Sequence, residues 1–491
     1  MGWLILAAIV YFFYKVSVSG DASSRPSKNY NRSSYTSASY QKLPAPSKKL
    51  NEEQVFIENV ELSAEQQDLF DKIEQSNEHF FITGKAGTGK SVLLQYLKYK
   101  SKKKLVVGAF TGIAALNVGG QTLNSLFRLP TDLIQPGNIE LNGKVATLLR
   151  NIDTVVIDEI SMVRVDMMEA IDLLLRKARG SETPFGGAQI VMFGDVYQLP
   201  PVVADRGLHE YFAHNYGGPY FFNAPVWKDT KLNIFELMHN FRQKDDEEFK
   251  GILNAIRVNE VGEEVINSLN LRCFNTVPTE NVITVAPRNN TVDQINAERL
   301  AKLTTPLFEY KAEISGNLER SYFPTEEYLR LKKGAQVMLL KNDPEKRWVN
   351  GTVGTVDSLS STEIRVKING EIVYSIPKAT WMKIEYYYDQ ETRTVEQRLL
   401  SSFTQFPLRL AWAFTIHKSQ GKTYNSVVVN MEGGAFAHGQ TYVALSRCVS
   451  LNGLYLTQPI KREDIIVDPL VINFMSQVKV EEVKLANPTS Y

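Results

Sequence analysis

The stretch Phe80–Ser91, FFITGKAGTGKS, constrains this chain more than any other. A short apolar run enters a glycine-rich turn, and Lys90-Ser91 open a segment, Val92–Leu97, that reads as a helix. The spacing G-x-x-x-x-G-K-S between a strand and a helix is that of a phosphate-binding loop. Gly84, Gly87 and Gly89 permit backbone conformations closed to other residues. The N–H groups of the loop (Gly84, Ala86, Gly87, Thr88, Gly89, Lys90, Ser91) can then converge on phosphate oxygens, beside the positive end of the helix. Lys90 would reach the β- and γ-phosphates, and the Ser91 hydroxyl would ligate Mg²⁺. The plainer alternative, a glycine turn with an exposed lysine, leaves the register of strand, loop and helix unexplained.

Further strands end in polar turns, where open α/β sheets hold ligands. Leu105–Phe110 runs into Thr111-Gly112-Ile113-Ala114-Ala115, and Gln121–Phe127 follows with Thr122 and Ser125. Thr154–Ile157 delivers Asp158 and Glu159. Beside a phosphate loop, the first acid suits Mg²⁺ and the second can polarise the attacking water. Gln189–Asp195 repeats the pattern and leads to Gln198, either an amide that senses the γ-phosphate or a turn residue before Pro200-Pro201. Gln66, three residues after Ser63, is either the partner in a capping box or an amide for an adenine edge. These strands alternate with helical segments such as Arg164–Arg179, which predicts a parallel, doubly wound sheet.

Val282–Ala286, with a helix after it, starts a second βα set that lacks a phosphate loop. Ile364–Ile368, Asn369-Gly370 and Glu371–Ile376 form a strong hairpin signal. Trp381–Tyr388 and Val395–Leu400 add strand candidates, so 351–406 reads as a small all-β insertion in which Arg365 and Lys367 can be a solvated face. Leu408–Thr423 then holds His417 and Gly421, and Gln440–Arg447 ends in an arginine. In isolation, Arg242 or Arg447 would be an ordinary surface ion pair.

With 491 residues the chain has room for several domains. Two cysteines, Cys273 and Cys448, and six histidines exclude a disulfide framework and make zinc chemistry a poor fit. The net charge of +1 gives no bulk argument for a nucleic-acid partner. Gly2–Tyr14 carries no charge, and basic residues from Lys15 onward follow it. With Lys15 snorkelling, residues 1–18 reach the lower limit of a single-pass membrane anchor, and the positive-inside rule then leaves the rest cytoplasmic. An apolar tail packed on the body is the alternative. Residues 19–51, rich in Ser, Tyr, Lys and Pro, read as a flexible tether.

The ordered set LSAEQ, GKAGTGKS, TGIAA, IDEISM, PFGGAQIVMFGDVYQLPPV, FRQKDD, LAWAFTIHKSQGKT and YVALSR resembles the Pif1-like branch of superfamily 1 helicases, near the RecD-type enzymes. The resemblance runs from about Leu62 to Phe474. It implies an α/β fold of two RecA-like P-loop-type domains, 52–235 and 236–350 with 407–475, the second carrying an SH3-like insertion at 351–406, and a tail at 476–491. It further implies ATP and Mg²⁺ in the cleft between them. Gln66 would read adenine, Lys90, Ser91, Asp158 and Glu159 would hold phosphate and Mg²⁺ and activate water, and Gln198, Arg242 and Arg447 would act on the γ-phosphate. Gly421 would lie in the cleft-closing motif, while Thr111, Thr122, Ser125 and His417 would line a single-strand path. The implied activity is 5′→3′ translocation on single-stranded DNA and unwinding of tailed duplexes, by a monomer, in repair, recombination or other genome maintenance. Asn124-Ser125-Leu126 departs from the His-Ser-Phe of many members, which weakens any role of Asn124 on DNA. A scaffold that binds ATP without strand separation is the alternative, and a P-loop kinase would not need the half that ends at Arg447.

Overall fold

The computed structural model describes residues 60–203, 206–241, 246–274, 276–278, 282–345, 347–348, 350–368, 370 and 372–477. Apolar runs buried on both faces build the first sheet. Its strands are β1 (His79–Gly84), β2 (Leu105–Ala109), β3 (Gln121–Thr122), β4 (Thr154–Asp158), β5 (Gln189–Phe193) and β6 (Leu232–Leu237), all parallel in the order β3-β2-β4-β5-β1-β6. Successive residues serve opposite faces, as the pleat demands. Phe80 and Ile82 pack with Leu69, Leu93 and Leu97 of the helices Ala64–Gln75 and Lys90–Lys100. Phe81 packs with Leu149, Ile171 and Leu175 of Gly143–Asn151 and Val165–Arg179 on the other side. Such two-sided burial is what a parallel sheet requires. It also leaves the carboxyl ends of β1, β4 and β5 on one rim, where Gly84, Asp158 and the turn after Phe193 lie.

The second half starts with β7 (Ile283–Ala286) and the helix Asn289–Lys302. It then departs through β8 (Leu307–Lys311), β9 (Glu313–Ser315), β10 (Tyr328–Lys332), β11 (Gln336–Leu339), β12 (Val353–Leu359), β13 (Ile364–Ile368), β14 (Ile372–Ser375), β15 (Ala379–Asp389), β16 (Thr394–Gln405) and β17 (Leu408–Leu410). It returns with β18 (Ala413–Thr415), β19 (Val427–Val429) and β20 (Leu454–Leu456). A second parallel sheet, β18-β7-β19-β20, results. The Asn-Gly hairpin forms β13–β14, with Ile364, Val366 and Ile368 inward and Arg365 and Lys367 exposed.

The β-rich region is wider than the 351–406 marked by that hairpin. Its five-stranded sheet, β14-β13-β12-β11-β17, takes strands from both sides of the span. All four residues of β11 are buried, so they lack the alternation that flags a sheet with one wet face. The long hairpin β15–β16 pairs instead with β9 and reaches the first domain. Ile384 and Tyr386 join that domain's core, the Tyr386 N–H donates to Gln121 Oε1 (3.1 Å), and Glu385 pairs with Arg128 and Arg398. The C-terminal helix Pro469–Gln477 also returns to the first domain, where Phe474 stacks on Phe222 at 4.1 Å and Val471 is buried. Among the described residues no helix is long and apolar enough to cross a membrane, and the run 2–14 on which an anchor would rest lies outside them.

Candidate nucleotide cleft

The loop after β1 adopts the shape its glycines allow. Gly89 has φ +83°, and a Cβ there would lie 2.5 Å from Gln66 Nε2. Gly89 also begins the helix Lys90–Lys100 with no side-chain cap, so its first N–H groups face outward as an anion site. Lys90 Nζ donates to the carbonyls of Gly84 (2.6 Å) and Lys85 (3.0 Å), which holds the cation under the arch of the loop. Ser91 is exposed at the helix start. Gln66 takes the first of its two expected parts and touches the phosphate loop. It completes a capping box with Ser63, and its Nε2 donates to Gly89 O (3.2 Å). Phe241, to which no role was assigned from its motif, sits against this corner: its N–H donates to Gly87 O (2.9 Å), and its ring lies 3.4 Å from where a Gly89 Cβ would be.

Asp158 and Glu159 end β4. Glu159 has φ +52°, unusual for a residue with a side chain, and its N–H donates to Asp158 Oδ1 (3.0 Å). Burial pushes both carboxyls above their ordinary range, and for Glu159 the Asp158 charge adds to this. A hard cation would offset the crowding and favour their ionised forms, and oxygen donors from Ser91 and Asp158 would suit Mg²⁺. Around this floor the second domain closes in. Gln420 Nε2 donates to Glu159 Oε2 (3.0 Å) and to Gln198 Oε1 (3.2 Å). Arg447 is 1% exposed and interacts electrostatically with Glu159. Its Nη1 donates to the carbonyls of Ser419 and Lys422, both at 3.3 Å, and its Nε to Val443 O (2.8 Å). Gly421, φ +75°, makes the turn between those two carbonyls.

A hub lies behind Gln198. Asp195, 1% exposed, pairs with Arg257 Nη2 (3.2 Å), while Arg257 Nη1 lies 3.0 Å from Glu236. Burial alone would raise Asp195, but Arg257 and Lys90 hold its carboxyl below the usual range. The Tyr442 hydroxyl donates to Asp195 Oδ2 (3.4 Å) and accepts the N–H of Ala86 (3.3 Å), so the helix that leads to Arg447 touches the phosphate loop. Tyr442, Asp195 and Gln420 stand inside quoted motifs and carried a signal without a role. Arg257 ends an amphipathic helix, Glu247–Val258, and carried none. Arg242 lies outside the described residues.

The residues expected on a DNA path are placed differently. The Thr111 hydroxyl accepts from Ala114 N (3.2 Å) and caps its own helix. Thr122 accepts from Ser125 N (3.2 Å) and pairs with the Tyr322 hydroxyl at 2.7 Å. Ser125 Oγ accepts from Gln121 Nε2 (3.4 Å), and the Asn124 amide is spent on the carbonyl of Pro130 (2.6 Å). His417 is exposed, far in sequence but two residues from the buried Ser419.

Comparison with known proteins matches this arrangement. A sequence model of PIF1-like helicases covers residues 61–265, and one of the DNA helicase Pif1 2B domain covers 313–359. The ATP-dependent DNA helicase Pif1 of Bdellovibrio bacteriovorus is 32% identical over 434 residues, 86% of this chain and 93% of that protein. The human ATP-dependent DNA helicase PIF1 is 31% identical over 454 residues, 89% of this chain and 65% of that protein. Crystal structures of Bacteroides Pif1 cover 85% of this chain and 97% of theirs. The TM-score is 0.80 (36% identity) for the ADP-AlF4 complex and 0.61 (38% identity) for the protein bound to single-stranded DNA. With a bacterial relative matched over 93% of its length at 32% identity, and solved Pif1 structures covering 85% of this chain, the chain belongs to the Pif1 family of helicases.

Proposed function

We infer that this chain is an ATP-dependent DNA helicase that moves 5′ to 3′ on single-stranded DNA and separates tailed duplexes. One observation carries the reading: Gln420 of the second domain donates to Glu159 at the end of a first-domain strand, and Arg447 binds the carbonyls of Ser419 and Lys422 on either side of Gln420. A site shared in this way links phosphate chemistry to relative movement of the two domains. Lys90 and the loop N–H groups bind the triphosphate, Ser91 and Asp158 hold Mg²⁺, and Glu159 takes the proton of the attacking water. Mg²⁺, when bound, neutralises phosphate charge. Gln198, Arg242 and Arg447 act on the γ-phosphate, and its loss releases the second domain. Repeated closing and opening, with alternating grip on the DNA backbone, becomes translocation; the grip itself is sequence-independent.

Thr111, Thr122, Ser125 and His417 are the proposed DNA contacts. For Thr122 to serve, its bond to Tyr322 must break. That agrees with the closer likeness to the ADP-AlF4 complex of the Bacteroides protein than to its DNA-bound form. ATPase measured with and without single-stranded DNA, then unwinding of 5′- against 3′-tailed duplexes, tests the reading. Hydrolysis without unwinding of either substrate would favour the scaffold alternative. Tethering to a membrane through residues 1–18 is a separate proposal, sunk if the full chain and a chain starting at Glu52 fractionate alike. Action as a monomer is another, and sedimentation on tailed DNA decides it.

A further inference from the structure

Gln420 lies in the KSQGKT stretch and marks the contact between the domains, but no step of hydrolysis has been given to it. We propose that Gln420 is a positioning residue for ATP hydrolysis: its amide holds the Glu159 carboxylate and the Gln198 amide in one fixed relation, from across the cleft. The inference rests on Glu159 acting as the base in the function proposed above.

The direction of the hydrogen bonds carries the argument. Asp195 is an ionised carboxylate beside Arg257, so it can only accept. The Gln198 amide therefore turns its Nε2 to Asp195 Oδ2 (3.4 Å), which leaves its Oε1 pointing the other way. An oxygen there needs a donor, and Gln420 Nε2 supplies it at 3.2 Å. The same nitrogen donates to Glu159 Oε2 at 3.0 Å, using its second hydrogen. Every bond from Arg257 through Asp195, Gln198 and Gln420 to Glu159 thus has one allowed direction: Arg257 and Gln198 donate to Asp195, and Gln420 donates to Gln198 and to Glu159. Reversing either amide would set oxygen against oxygen.

Gln420 is also held from its own side. Thr415 caps the turn Ile416–Ser419, and the Gln420 N–H donates to His417 O (3.3 Å). Arg447 binds the carbonyls on either side, of Ser419 and Lys422. A Gln420 so clamped reports where the second domain stands. Glu159, whose backbone is in the left-handed region, has no second-domain side-chain hydrogen bond among the described residues other than this one. Withdrawal of the second domain would free the base and the amide together, so hydrolysis becomes conditional on closure.

The test compares Gln420→Met, which keeps length and removes the donor, with the wild-type full chain. The expected result is a kcat for DNA-stimulated ATP hydrolysis lowered at least about tenfold, with KM for ATP and the affinity for ADP within about twofold. A residue that only shapes the loop would tolerate methionine, so an unchanged kcat overturns the inference, as does a raised KM with kcat intact. Should Gln420→Met not fold, Gln420→Glu keeps a polar group of the same length and sets a carboxylate against Glu159. Its kcat must fall further, and wild-type turnover in it is equally fatal. Glu159→Gln separates the two levels. If that variant hydrolyses ATP normally, the reading of the site fails and the inference with it. If it is dead while Gln420→Met is active, the inference alone fails.

Discussion

The nucleotide cleft and the first-domain part of the proposed DNA path, Thr111, Thr122 and Ser125, lie along the same sheet, yet their polar side chains behave in opposite ways. In the cleft, bonds join residues remote in sequence: Gln420 to Glu159, Tyr442 to Asp195, Arg257 to Asp195 and Glu236. On the path, Thr111 and Thr122 accept from N–H groups three residues away, as any helix-capping threonine does. The cleft is therefore organised by tertiary contacts, whereas these path threonines are set by local caps, with the Thr122–Tyr322 bond as a tertiary contact laid over one of them. A site whose geometry is set across domains gains or loses its function with domain position. The caps keep the local geometry of Thr111 and Thr122 when the second half of the chain moves, so Tyr322 can cover or uncover Thr122 without rebuilding it.

If the contrast is sound, the largest effects belong to the cleft. Lys90→Ala removes the cation under the loop and should lower ATP turnover at least about a thousandfold, because charge stabilisation is the main resource of phosphoryl transfer. Circular dichroism should show an unchanged fold, since Lys90 binds carbonyls of its own loop. Normal turnover in this variant would remove the nucleotide assignment.

Next comes Arg257→Met, read as stability rather than rate. It strands Asp195 and Glu236 beside each other, and loss of one partner of a buried pair costs about 3–5 kcal/mol. The sign with pH follows from the lowered Asp195. Its contribution in the wild type is full above the ordinary carboxylate range and is lost as pH falls through the depressed value; in the variant burial acts without Arg257 and raises the carboxyl, so the deficit should begin to shrink already above the ordinary carboxylate range and go on shrinking down to the depressed value. Denaturant unfolding at several pH values measures it. A deficit under about 1 kcal/mol at neutral pH would place the pair among ordinary surface bridges.

Arg447→Ala should lower turnover about a hundredfold while nucleotide still binds. Its guanidinium is committed to the carbonyls of Ser419 and Lys422, so part of that loss would pass through Gln420. A double variant with Gln420→Met should then lose less than the product of the two single losses. Strict multiplication would mean that Arg447 and Gln420 work separately.

Much of the cleft was legible because its chemistry demands residue types at close spacing. Glycine is required at position 89, where φ is +83°, and two acids must follow a buried strand to meet phosphate. Both parallel sheets were legible for the same reason, since a strand buried on two faces reads as an apolar run. The fully buried β11 was hidden by that very property. It gives no period to separate it from an α/β strand, so the β-rich region begins earlier than the hairpin signal suggests. Arg257 was invisible because a helix sequence does not say that its last turn faces another domain. The docking of β15–β16 and of Pro469–Gln477 on the first domain was beyond reach as well, because pairing partners hundreds of residues away leave no local pattern.

The smallest expected effect tests the path. Tyr322 reaches Thr122 from the second half of the chain, at 2.7 Å, and Lys383 lies over the Tyr322 ring at 4.0 Å. If Thr122 contacts DNA, the phenol competes with the strand for one hydroxyl. Tyr322→Phe keeps the ring and removes the competitor, so affinity for single-stranded DNA should rise. A single neutral hydrogen bond is worth about 0.5–1.5 kcal/mol, which caps the gain at about tenfold. Thr122→Val must move affinity the other way and also forfeits the cap on the helix Leu123–Phe127, at a cost of about 1 kcal/mol in stability. Thr122→Ser keeps both the cap and the hydroxyl, and serves as the control. Fluorescence anisotropy with a labelled oligonucleotide gives all three affinities. Opposite shifts for Tyr322→Phe and Thr122→Val, with Thr122→Ser unmoved, would mean that this cap has a second task. Equal affinities across the set would leave Thr122 a cap alone, and the DNA path would have to be sought elsewhere on the rim.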